Sequence, residues 1–146
     1  MAAKVLTVPG ERMKSGKEHR VPLSPAAVDL LNALPRFEGV DYLFPNNKGM
    51  PLSDMTLTQQ LRRMDLTVTA HGFRSTFRDW ASERTAFTRD VCEMALAHTI
   101  GDKVEAAYRR GELMEKRTLM MTKWAQFCGT LPAPASVIAI GTRSAT

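Results

Sequence analysis

The sequence predicts a mainly α-helical domain that carries a small N-terminal β-hairpin or sheet. Three observations lead there. Two short extended runs, residues 4–8 (Lys-Val-Leu-Thr-Val) and 19–23 (His-Arg-Val-Pro-Leu), flank a turn-rich segment around Ser15-Gly16. Downstream, apolar residues recur at spacings of three and four, the helical period. Prolines and glycines then cut this periodic stretch into helix-sized lengths.

The hairpin is basic. Lys4, Arg12, Lys14, Lys17 and Arg20 face only Glu11 and Glu18, a net +3 in the first 24 residues. By itself this is what a polar sheet edge needs to avoid aggregation. Ser24-Pro25 predicts a helix start, and Ala26, Val28, Leu30, Leu31 and Leu34 give a helix ending before Pro35. Residues 41–45 form a brief extended segment, and Asn46-Asn47-Lys48-Gly49 is a turn. Ser53 or Asp54 is expected to cap a helix over about 54–64. The next helix, about 72–83, has Phe73, Phe77, Trp80 and Ala81 as a buried stripe, with Arg74 and Arg78 on a flanking face. Thr88 caps a helix carrying Val91, Cys92, Met94, Ala95 and Leu96 that runs up to His98, and a short helix follows over about 103–108. The last helix, about 112–128, uses Leu113, Leu119 or Met120, Trp124 and Phe127 as its core side, with Gly129 as the stop. Residues 1–130 therefore read as one domain and 131–146, rich in Pro and Ala, as a flexible tail.

Composition narrows the function classes. A hydrophobic content of 44% and a charged content of 24% are those of a soluble globular chain, expected in the cytoplasm. The net charge of +5 favours a polyanionic partner. Cys92 and Cys128 form no CxxC pair, which speaks against a disulfide framework and a cysteine-ligated zinc site. The longest apolar run near the C-terminus, residues 137–140, is far too short to span a bilayer, so no membrane partner is expected.

The chemistry-bearing residues lie between His71 and Arg110. His71-Gly-Phe-Arg74-Ser-Thr-Phe is followed by Leu96-Ala-His98 and by Ala106-Ala-Tyr108-Arg109-Arg110. A guanidinium fork matches a phosphate bidentately, and an imidazole can donate to its remaining oxygens. A phenol beside such a clamp is a candidate nucleophile. Each piece alone is common: a histidine opening a helix is usually a cap, and a pair of arginines usually a solvated face.

In this order, followed by a Trp-bearing terminal helix, the motifs closely resemble the tyrosine recombinase (phage-type integrase) family, nearest its prophage and genomic-island integrases. Met13-Lys-Ser-Gly-Lys-Glu-His-Arg-Val-Pro-Leu-Ser24 is similar to that family's lysine-bearing β-hairpin. The resemblance spans roughly residues 4–128. It implies site-specific DNA recombination or integration, by strand cleavage and rejoining through a 3′-phosphotyrosine intermediate. Tyr108 would attack the phosphodiester, and Arg74 would hold non-bridging oxygens. His71 and His98 would hydrogen-bond the same phosphate, His71 also assisting proton movement. Lys14, by register, would protonate the leaving 5′-oxygen, with Lys17 in reserve. Lys17, Arg20, Arg78, Arg109 and Arg110 are the further candidates for holding the DNA backbone. The implied partner is double-stranded DNA, on which the family works as a homotetramer. No ATP, metal, other cofactor or small-molecule substrate is implied.

One departure matters. The family uses two phosphate-clamping arginines, and the first lies well upstream of the hairpin; neither Arg12 nor Arg20 has its context. The expectation is a partial, N-terminally truncated catalytic domain, inactive alone, with apolar surface exposed where helices are missing. The rival expectation is a non-catalytic DNA-binding or regulatory integrase remnant.

Overall fold

The computed structural model describes residues 4–98 and 113–130. Strand β1 (Val5–Val8) and strand β2 (His19–Pro22) pair antiparallel, with Val5 opposite Pro22 and Val8 opposite His19. The expected hairpin is present, but its connection is longer than a Ser-Gly turn. Residues 9–18 fold back on themselves through a 3₁₀ turn, Gly10–Arg12, and a β-turn closed by the Gly16 amide donating to the Met13 carbonyl at 3.0 Å. Lys14 and Ser15 occupy the tip of that β-turn. A Cβ on Gly10 would lie 2.5 Å from the Gly16 carbonyl oxygen, so the two arms of the loop meet where only glycine fits.

Helix α1 (Pro25–Ala33) starts as its sequence predicts. The Ser24 Oγ accepts the Ala27 amide at 3.2 Å, Pro25 occupies a position whose N–H would have no partner, and Leu34 turns extended ahead of Pro35. The expected extended segment 41–45 contracts to one bridge, Pro45 to Pro51. Proline supplies no amide donor at either end of that bridge, which keeps the ladder from growing. The turn at 46–49 is closed by the Asn46 side chain, whose Oδ1 accepts the Lys48 and Met50 amides at 2.8 and 3.1 Å.

Helix α2 (Thr56–Arg63) begins later than 54, and neither Ser53 nor Asp54 is its cap. A turn from the Thr56 amide to the Ser53 carbonyl (3.0 Å) precedes it, and the Ser53 hydroxyl is engaged by that of Thr56 at 3.1 Å. Helices α3 (Gly72–Arg84), α4 (Arg89–Ala95) and α5 (Met114–Gly129) supply the core. Thr88 stands at the N-cap of α4 but makes no side-chain cap bond, and Gly129 is the last residue of α5, followed by Thr130 as its C-cap.

The buried cluster is Phe77, Trp80 and Ala81 of α3, Val91 and Cys92 of α4, and Met120 of α5. Trp124 packs on it, 5.3 Å edge-on from Phe77 and 5.0 Å from Trp80, centroid to centroid. Such ring pairs add about 0.5–1.5 kcal/mol beyond the area they bury. Phe73 departs from the expected stripe and is 56% exposed, because the packing against α3 starts one turn later, at Phe77. Leu119 likewise faces outward while its neighbour Met120 is fully buried. Leu30, Phe37, Leu57, Met64 and Phe73 are each more than half exposed.

Helix α5 ties the hairpin to this core. Arg117, only 2% exposed, donates from Nη2 to the Arg20 carbonyl on β2. The short helix expected over 103–108 and the tail from 131 lie outside the described residues.

Candidate active site

The loop of the hairpin, the C-terminal end of α4 and the first half of α5 enclose a cleft of about 200 Å³. That is room for several water-sized groups, each needing about 30 Å³. Lys17, His19, Arg20, His98 and Arg117 line it, with Glu18 as the acidic member. Five basic groups against one carboxylate make the cleft a place where an anion is electrostatically favoured.

The far wall is built by the way α4 ends. The helix stops at Ala95, not at His98, because Ala97 takes a left-handed conformation (φ 54°) that reverses the chain. The reversal hands the His98 amide to the Glu93 carbonyl at 2.9 Å and swings the ring back over the helix. There His98 Nδ1 lies 2.5 Å from Glu93 Oε2. The other carboxylate oxygen, Oε1, accepts from Arg78 Nε at 2.9 Å and lies 2.8 Å from Arg78 Nη2. Burial alone would raise the Glu93 carboxyl, but the hydrogen bond with His98 and the Arg78 charge outweigh it and hold the group below its ordinary value. Glu93 is therefore an anion, and the proton in its bond to His98 belongs to the ring.

Arg74 meets the same helix end one turn nearer the start of α3. Its Nη2 donates to the Leu96 carbonyl at 2.5 Å, an acceptor that the finished helix leaves without an internal partner. The expectation that Arg74 and Arg78 share one face of a packed helix thus agrees with the geometry, and that face lies on the end of α4.

Placed one by one, the expected site residues fall into three sets. His98, Lys17 and Arg20 come together at the cleft, and Arg74 and Arg78 surround the helix end that carries His98. His71 is exposed at the head of α3, with its carbonyl accepting the Arg74 amide at 3.0 Å and no side-chain cap bond. Lys14 is exposed at the tip of the loop and does not line the cleft. Tyr108, Arg109 and Arg110 lie outside the described residues.

Sequence reasoning passed over two residues. Glu93 bridges Arg78 and His98; it stands five residues before a histidine at a helix end, a spacing that only the left-handed reversal brings into contact. Arg117 occupies a core position of α5, four residues after Leu113 and three before Met120. That spacing was visible in the sequence, but a charged residue there reads as a break in the stripe.

Comparison with known proteins gives a consistent picture. The profile of the phage integrase family matches residues 1–113. Prophage integrase IntA of Escherichia coli (strain K12) is 35% identical over 123 residues, which cover 81% of this chain and 30% of that protein. The integrase of Enterobacteria phage P4 is 36% identical over 123 residues, 79% of this chain and 28% of that protein. Prophage integrase IntZ of the same E. coli strain is 32% identical over 124 residues, 82% of this chain and 31% of its own length. The chain thus spans less than a third of the length of these relatives. No solved structure matches it. No described helix is long and apolar enough to cross a membrane.

Proposed function

The chain belongs to the phage integrase family, the tyrosine recombinases whose motifs it carries, and on that premise we propose that it serves site-specific recombination of double-stranded DNA, as part of a catalytic domain that cleaves and rejoins strands through a 3′-phosphotyrosine. The observation that carries this reading is the cleft itself. Hairpin cations and the histidine of the Leu-Ala-His motif, 78 or more residues apart in the chain, line one small anion-sized space.

In the proposed step the Tyr108 oxygen attacks phosphorus, the bond from phosphorus to the 5′-oxygen breaks, and the phosphotyrosine bond forms. The phenol proton leaves with the help of His71, and a hairpin lysine gives its proton to the departing 5′-oxygen. Arg74 and His98 hold the non-bridging oxygens as negative charge builds on them. The bond from Arg74 Nη2 to the Leu96 carbonyl fixes the guanidinium plane, leaving further donors of its five for phosphate. No residue of this chain matches the family's first arginine, and one such donor is worth roughly a hundredfold or more in rate. Cleavage by these residues alone is accordingly expected to be slow, and the full reaction to proceed in a tetramer on DNA.

A nicked duplex that traps the covalent intermediate tests the reading. The wild-type chain should form a protein–DNA adduct, at whatever slow rate, and Tyr108→Phe should form none. An adduct that survives in Tyr108→Phe refutes the assignment. Salt-dependent DNA binding with no adduct from either form supports the second reading, a non-catalytic DNA-binding remnant, which the cluster of cations in the cleft equally favours.

A further inference from the structure

We infer that Glu93 is a positioning residue for His98, holding the ring by both its main chain and its side chain so that Nδ1 is committed to the helix end and Nε2 is the nitrogen presented to the cleft, with Arg78 as the brace behind it. The inference rests on the proposed reading only for what enters the cleft, a DNA phosphate.

Three features carry it. The Glu93 carbonyl accepts the His98 amide at 2.9 Å, and its carboxylate meets Nδ1 at 2.5 Å, so one residue fixes both ends of its partner. Both carboxylate oxygens are used, one on His98 and one on Arg78, and the Glu93 side chain is only 15% exposed. An ion pair that merely decorates a surface stays solvated and adds little; this carboxylate is tucked against α3 and clamped from two sides. The third feature is the conformation of Ala97. A left-handed alanine is uncommon and strained, because its Cβ crowds the following carbonyl. It is the reversal at that residue that returns the ring to Glu93 and the cleft.

The consequence is chemical. A carboxylate can only accept, so Nδ1 must carry a proton. A ring locked that way has Nε2 as its one variable atom, the atom that donates to a phosphate oxygen once it too is protonated. Arg78 accordingly acts on the site through Glu93, whatever contact it also makes with the DNA backbone.

The chain has three histidines, His19, His71 and His98, so ring-nitrogen NMR spectra of the ¹⁵N-histidine-labelled full chain resolve them. In the wild type, His98 should show a protonated Nδ1, and adding a short duplex of mixed sequence should shift its Nε2. In Glu93→Gln the Nδ1–H signature should be lost in favour of the Nε2–H form that an unconstrained imidazole prefers, and Arg78→Met should weaken it. Unchanged Trp fluorescence in the variants shows that the fold is kept. A wild-type His98 without a proton on Nδ1, or an unchanged ring in a folded Glu93→Gln chain, overturns the inference and leaves the proposed function standing. A lock that is present, and lost in the variant, while Nε2 ignores DNA keeps Glu93 as the positioning residue and overturns the proposed function, with DNA phosphate as the ring's ligand.

Discussion

Replacing Arg117 tests the architecture of the site most directly. Its guanidinium is almost fully buried on α5 and donates to the Arg20 carbonyl on β2, so it is the link between the hairpin and the helical core. Arg117→Ala removes a methylene stem worth roughly 2 kcal/mol of packing. It also leaves the Arg20 carbonyl without its donor, at about 1–3 kcal/mol. Release of a desolvated charge offsets part of this. The net expectation is a loss of about 2–4 kcal/mol, with Arg117→Met, which keeps the stem, losing less. Urea unfolding followed by Trp fluorescence gives the number, because Trp80 and Trp124 sit against each other in the core. Amide exchange should additionally rise in β2 beyond the global change. An alanine variant within about 0.5 kcal/mol of wild type, with β2 still protected, would refute the reasoning.

The two loop lysines should separate on the trapping substrate. Lys14→Ala is expected to slow adduct formation by about 10²–10⁴ and to be rescued by a 5′-thiol leaving group that needs no proton. Lys17→Ala should mainly weaken DNA binding and lower the salt slope by about one; the reverse pattern makes Lys17 the acid, as its place in the cleft would suggest. Glu93 makes stability pH-dependent. Its folded value lies below the ordinary 4.5, so its contribution is complete above 4.5 and is lost as the pH falls through that value toward the lower one. The stability gap between wild type and Glu93→Gln should therefore be flat near neutral pH and close in acid, as urea midpoints will report. Finally, burial holds both thiols above their ordinary range, but only Cys92 is enclosed. Cys128 should react with a thiol reagent in the native protein and Cys92 only after unfolding.

How much of this was legible depended on whether a feature is local or made by long-range packing. Ser24-Pro25 announced α1, because a cap bond and a missing amide are properties of four adjacent residues. Phe77, Trp80 and Ala81 announced the buried face of α3 for the same reason, helical period. Phe73 has the same period and is exposed, since whether a stripe position is buried depends on where the partner helices begin. The end of α4 was misread because Ala97 carries no glycine or asparagine signal; its left-handed turn is sustained by the contacts His98 makes after it. Glu93 and Arg117 escaped notice for a related reason. Their partners lie on a reversed chain end and on a strand 97 positions away, and neither distance is written in local composition.

The arginines show what this packing would achieve for the proposed phosphate site. Arg74 is tied to the Leu96 carbonyl, Arg117 to the Arg20 carbonyl and Arg78 to the Glu93 carboxylate, all without DNA. A loose arginine carries about 2 kcal/mol of rotamer entropy, and ordering it at the moment of binding subtracts from affinity. Here much of that ordering is complete in the folded chain. Two of the three acceptors are main-chain carbonyls, which orient a guanidinium without cancelling its charge. The carboxylate brace that Glu93 provides falls on Arg78 and His98. A phosphate entering as proposed would meet guanidinium groups whose ordering is already complete, so less of its binding free energy would go into fixing them.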